Sequence, residues 1–96
     1  MNRTNYKTLK EAMEQWLKVY RLKGKFDETN AVASWQEVVG APVANRTKEI
    51  FIKDKKMFVR IESSVIKNQL VMMRSQIIES LNQRAGSVVV TEIIFL

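Results

Sequence analysis

The chain contains no cysteine and no histidine. Without cysteine there is neither a disulfide nor a thiolate metal site, which fits a reducing cytoplasm. Without histidine, serine–histidine and cysteine–histidine catalysis are excluded, and so is imidazole-bound zinc. Glycine stands only at positions 24, 40 and 86, too dispersed for a loop that cradles phosphate. The acids are scattered, and Asp27-Glu28 reads as a helix start, where negative charge suits the dipole. The N-terminus MNRTNYKTLK lacks the apolar core of a signal peptide. No run approaches the roughly 18 apolar residues of a membrane span. These absences predict a non-enzymatic cytoplasmic protein with no cofactor, no metal and no membrane partner.

What is present is an ordinary globular composition over 96 residues, 46% hydrophobic and 27% charged, so a single domain over residues 1–96 is expected. The charge is unevenly placed. Residues 1–25 hold seven basic side chains (Arg3, Lys7, Lys10, Lys18, Arg21, Lys23, Lys25) against two acids, or +5 of the net +6. A basic end on a nearly neutral body suits a surface that faces a polyanion.

The chain is organised around Ser63 to Ala85. Ser63 or Ser64 can cap a helix start by accepting a backbone N–H bond. Ile66, Leu70, Met73, Ile77 and Leu81 recur at spacings of three and four, which sets them on one face of a long helix. Val71 and Ile78 widen that face, and Gly86 closes it in the left-handed conformation. Residues 1–6 are polar and expected to fray. A first helix is predicted over Thr8 to Lys23, with Leu9, Met13, Trp16, Leu17 and Tyr20 as its apolar stripe and Gly24 as its end. Phe26 falls in the connection. A second helix is predicted near 28–40, capped by Asp27 or Thr29, with Ala31, Val32, Trp35, Val38 and Val39 inward and Gly40 as its stop. Pro42 argues against helix through Ala41, and Val43 to Thr47 reads as a linker or one further turn.

Lys48 to Lys53 alternates as a strand, with Ile50 and Ile52 on one face and Glu49, Phe51 and Lys53 on the other. Asp54-Lys55 is the turn, and Lys56 to Glu62 is the partner strand. Val88 to Phe95 is the last strand, with Val89, Ile93 and Phe95 covered and Glu92 outward. The order is helix, helix, strand, strand, helix, strand. This predicts an α+β domain of two layers, a three-stranded sheet with helices packed on one face. If the strands flanking the long helix are parallel, their crossover is right-handed.

Two surface groups point to nucleic acid. The first is the basic N-terminal set, with Lys7, Lys10, Lys18, Arg21, Lys23 and Lys25 as phosphate contacts. The second is the outer face of the hairpin, where Phe51 and Phe58 mix with Lys53 and Arg60, beside Lys55 and Lys56 at the tip. Aromatic and basic groups on an open sheet can stack bases and hold phosphates. Burial of the phenylalanines by the first helix or by a dimer contact is the competing reading.

A set of residues resembles the bacterial DciA family. It comprises Trp35 with Val38-Val39-Gly40, Val43-Ala44, Thr47, the alternating Met57, Val59 and Ile61 before Ser63-Ser64, then Leu70, Leu81-Asn82, Gly86, Ile93 and Phe95. The likeness covers about residues 8–96. It implies a KH-like domain, similar in shape to the first domain of the replication initiator DnaA. It further implies a recruiter or loader of the replicative helicase DnaB that also binds DNA. Many members carry a long flexible tail that these 96 residues do not include, and the Gly-x-x-Gly clamp of true KH domains is absent. Nucleic acid would therefore be held by lysines and arginines. A protein adaptor without nucleic-acid binding and a KH-like RNA binder are the alternatives, and a homodimer through a sheet edge or the outer phenylalanines is compatible with each.

Overall fold

The computed structural model describes residues 3–96, and side chains from residue 6 onward. Its elements are α1 (Arg3–Ala33), α2 (Trp35–Val39), α3 (Ala41–Ala44), β1 (Thr47–Lys53), β2 (Lys56–Ile61), α4 (Ser64–Met72), α5 (Arg74–Ala85) and β3 (Glu92–Phe95). The architecture is the expected α+β: a three-stranded sheet in the order β1-β2-β3, with helices packed on it. β1 and β2 are antiparallel, whereas β2 and β3 are parallel and joined through α4 and α5.

The hairpin forms as its alternation requires. Asp54 and Lys55 both take positive φ, 52° and 62°, so the two-residue turn closes without glycine. Met57, Val59, Ile61 and Ile93 point inward and are buried. They meet Leu70, Ile77, Leu81 and Ala85 from α4 and α5, and Ala31 and Trp35 from the N-terminal helices. Trp35 is a core residue, as its valine neighbours suggest, and its indole N–H donates to the Thr47 hydroxyl at 3.0 Å. Thr47 in turn donates to the Val43 carbonyl at 3.0 Å.

The largest departure from the sequence reading lies at the N-terminus. Met1 and Asn2 fall outside the described residues, but helix begins at Arg3 rather than Thr8. It then runs unbroken through Gly24 to Ala33. Gly24 is no stop because it keeps a helical backbone, unlike Gly40 and Gly86, which take positive φ. The next turn holds it there: Lys23 pairs with Asp27 four residues on, at 2.8 Å. Asp27 is thus a buried mid-helix residue and not a cap. Thr29 is not a cap either, since its hydroxyl donates back to the Lys25 carbonyl at 3.0 Å. Phe26 sits on the helix, exposed, and not in a connection.

The expected second helix starts as the end of α1, breaks at Ser34 and resumes as α2. Gly40, at φ 93° and ψ 156°, ends α2. Helix nevertheless resumes at Ala41, because Pro42 fits a first helical turn, where no N–H partner is needed.

The long helix is two. It bends at Met73, at φ −109° and ψ 13°, although no proline or glycine stands nearby. Ser63 is its N-cap, accepting from the Ile66 N–H at 3.3 Å. Leu70, Ile77 and Leu81 are buried as expected, and Ile78 packs against the core. Met73 and Val71 are exposed at the bend.

The last strand is half the predicted length. Val88 to Val90 carry no ladder, and Asn82 takes the backbone groups of Val89 and Val90 instead. Its side-chain oxygen accepts from the N–H groups of Val89 at 3.1 Å and Val90 at 3.0 Å, and its amide donates to the Val90 carbonyl at 2.8 Å. Val89 and Ile93 are covered and Glu92 is outward, as expected, whereas Phe95 is only half-buried.

Candidate nucleic-acid interface

Only the last third of α1 rests on the body. There Asp27 and Ala31 are buried, whereas every side chain from Tyr6 to Lys23 is exposed. A helix of 31 residues is about 46 Å long at 1.5 Å per residue. Its outer part accounts for the elongated molecule, 66 Å by 21 Å by 19 Å.

Helical geometry sorts the side chains of this arm. Tyr6, Leu9, Met13, Trp16, Leu17 and Tyr20 share one face. Lys7, Lys18, Arg21 and Lys25 lie on the other, with Glu11, Glu14 and the exposed Val19 and Leu22 among them, and Lys10 stands at the border. Among the described residues none of these five cations forms an ion pair. They are free, hydrated charges along about 27 Å of helix. Lys23 differs from the rest of its set, because its ammonium is committed to Asp27.

The hairpin supplies a second group. Lys53 and Lys56 are cross-strand partners, and Lys55 stands in the turn between them. The tip is anchored, since the Lys55 carbonyl accepts from both the N–H and the hydroxyl of Thr91, at 2.7 and 3.1 Å. Phe51 and Phe58 stack on the outer sheet face with centroids 5.0 Å apart and planes 13° apart, and Ile94 continues the row. Phe51 shares a hollow with Glu28, Thr29, Val32 and Ala33 of α1 but keeps 40% of its surface exposed, so α1 covers it only in part. Arg60 lies on the same face but is engaged with Glu49 at 3.3 Å. The structure therefore gathers Lys53, Lys55 and Lys56 beside the phenylalanines, and leaves the α1 cations as a separate stripe.

The arm and the hairpin tip meet in a cleft of about 380 Å³ lined by Tyr20, Lys23, Gly24, Asp27, Lys55 and Ser87. Its floor is Asp27, whose Oδ2 accepts from Lys23 Nζ at 2.8 Å and from the Ser87 hydroxyl at 2.7 Å. The Lys23 hydrogen bond, then the Ser87 hydrogen bond, hold the carboxyl below the ordinary aspartate range. This clamp went unseen in the sequence, although the four-residue spacing of Lys23 and Asp27 carries a signal for half of it. Among the described residues no cluster of acidic side chains is arranged to hold a metal.

The model of the family described as "Dna[CI] antecedent, DciA" matches residues 8–95. The chain belongs to the DciA family. A UPF0232 protein of Corynebacterium glutamicum (strain R) is similar to it, 36% identical over 61 residues. That match takes in 64% of this chain and 34% of the relative, so the chain spans about a third of the relative's length. The DciA match includes the Trp35–Thr47 contact, the Asn82 clamp and the capping Ser63, which together set the body from which the arm projects. Within this DciA chain, no described helix is long and apolar enough to cross a membrane.

Proposed function

We propose that this chain is a non-enzymatic replication accessory module that recruits or loads the replicative helicase DnaB and holds DNA without sequence preference. Family membership supports the helicase role. The observation that carries DNA binding is the projecting face of unpaired cations, Lys7, Lys10, Lys18, Arg21 and Lys25. Such charges contact phosphate and release counterions, and that gives affinity without base readout.

The test is fluorescence anisotropy of labelled single strand and duplex across a salt series. The wild type is compared with a variant carrying Lys7→Gln, Lys18→Gln, Arg21→Gln and Lys25→Gln. Loss of four phosphate contacts lowers the slope of log affinity against log salt by about 3 to 4. Equal affinity and equal slope in the variant dismiss this surface. Helicase recruitment is tested by gel filtration of nuclease-treated chain with purified DnaB, and failure to co-elute at moderate salt rejects it.

A second reading concerns the outer sheet. The stacked Phe51 and Phe58 beside Lys53 and Lys56 favour contact with single-stranded bases, which stack on aromatic faces whatever their sequence.

A further inference from the structure

The arm leaves an apolar face without a partner. Tyr6, Leu9, Met13, Trp16 and Tyr20 follow a strict alternation of three and four, the spacing of a coiled-coil seam, and Leu17 lies beside it. One heptad beyond Tyr20, the same stripe continues into Asp27 and Ala31 and is buried against the body. Outside the body it is open, with Tyr6 at 75% and Trp16 at 62% exposure. A projecting helix in water draws most of its stability from packing of its apolar face. We propose that this face pairs, antiparallel, with the same face of a second copy of the chain.

Three observations select that occupant. The first is area. Six side chains, exposed by 41 to 75%, at on the order of 100 Å² each, offer about 600 Å² per chain and about 1,200 Å² per pair, the lower bound for specific interfaces. The second is self-complementarity. An antiparallel register centred between Glu14 and Gln15 sets Leu9 against Tyr20 of the second copy, and Met13 against Trp16. Small meets large in these two layers, Tyr6 falls at the end of the seam beside Lys23, and a single twofold axis relates the two halves. The Trp16 and Tyr20 rings are already stacked, with centroids 5.3 Å apart, so the larger knobs are ordered beforehand. The third is charge. Lys7, Lys18, Arg21 and Lys25 lie on the far side of each helix, so two strongly basic arms pair without opposing cations. The same placement disfavours a lipid surface, where cations rim the apolar face to reach headgroups. Antiparallel pairing also leaves the two bodies at opposite ends.

The test is multi-angle light scattering with cysteine cross-linking, which the absence of native cysteine makes clean. The wild type is expected at twice the 11.2 kDa chain mass. The variant Met13→Glu/Trp16→Glu is expected at the single-chain mass. These residues touch none of the buried core, so its body keeps the wild-type buried-tryptophan emission from Trp35. A mixture of Leu9→Cys and Tyr20→Cys chains is expected to give a disulfide-linked pair on oxidation, and neither variant alone is expected to do so. A monomeric wild type overturns the proposal. Cross-linking of Leu9→Cys with itself overturns the antiparallel register. A monomer that floats with phosphatidylglycerol vesicles reassigns the face to lipid. None of these readouts involves DNA or DnaB, so failure here leaves the proposed function standing, and the reverse also holds.

Discussion

Asp27 and Ser87 are sixty positions apart, and their side chains meet at 2.7 Å. The contact ties the arm to the loop that leads into β3. With Lys23 on the same oxygen, it fixes where α1 leaves the body. A clamp between an ionised carboxylate and two donors is sensitive to acid. Its folded-state pKa lies below the usual value because the Lys23 and Ser87 bonds favour the charged form. Stability from this group is therefore complete above the ordinary aspartate range of about 4, and is lost as pH falls through the lower folded-state value. Urea denaturation between neutral pH and strong acid is expected to show a smaller acid loss in Asp27→Asn than in the wild type. Parallel curves for the two chains count against the clamp.

Gly24 lies mid-helix, and a methyl group there would meet no atom within 4 Å. Its backbone is helical, so alanine adds no strain and removes freedom from the unfolded chain. Gly24→Ala is expected to raise stability by about 0.5–1 kcal/mol. Gly86→Ala is the contrast: φ is 83° at that helix end, and the cost is about 1 kcal/mol. Thermal melts of the two variants should move in opposite directions.

Asn82 makes three hydrogen bonds to the backbone of Val89 and Val90. Replacement by alanine strands two N–H groups and a carbonyl beside the core, at about 1–3 kcal/mol. Hydrogen exchange at the Val89 and Val90 amides should accelerate more than at Ile93. Uniform acceleration across the domain would mean that Asn82 acts on global stability alone.

Phe51 offers an open aromatic face, and base stacking on such a face contributes on the order of 1–3 kcal/mol per base. Phe51→Ala is expected to weaken single-stranded DNA binding by at least about fivefold, with duplex binding unaltered, since a duplex offers phosphate but no free base. An equal loss on both substrates assigns the sheet face no role in base contact.

Short-range pattern foretold much of this molecule. The alternation of Met57, Val59 and Ile61, the capping Ser63 and the positive-φ Gly86 each follow from local sterics and hydrogen bonding, and the structure keeps all three. The charge asymmetry of the first 25 residues is equally visible. Elements with ambiguous local signals came out differently. Gly24 reads as a stop, yet nothing nearby forces it out of helix. Val88 to Val90 read as strand, yet the Asn82 side chain, seven and eight residues upstream, takes the backbone groups of Val89 and Val90.

The residue types alone determined that this protein has an inward sheet face, a basic N-terminal segment and no imidazole or thiol chemistry. Those properties depend on what each side chain is and on its neighbours within a turn or two. Only the tertiary structure decided which apolar stripe is core. The stripe of α4 and α5 and that of α1 have the same periodicity. The first lies over the sheet, whereas most of the second extends past its edge, where no part of the described chain reaches it.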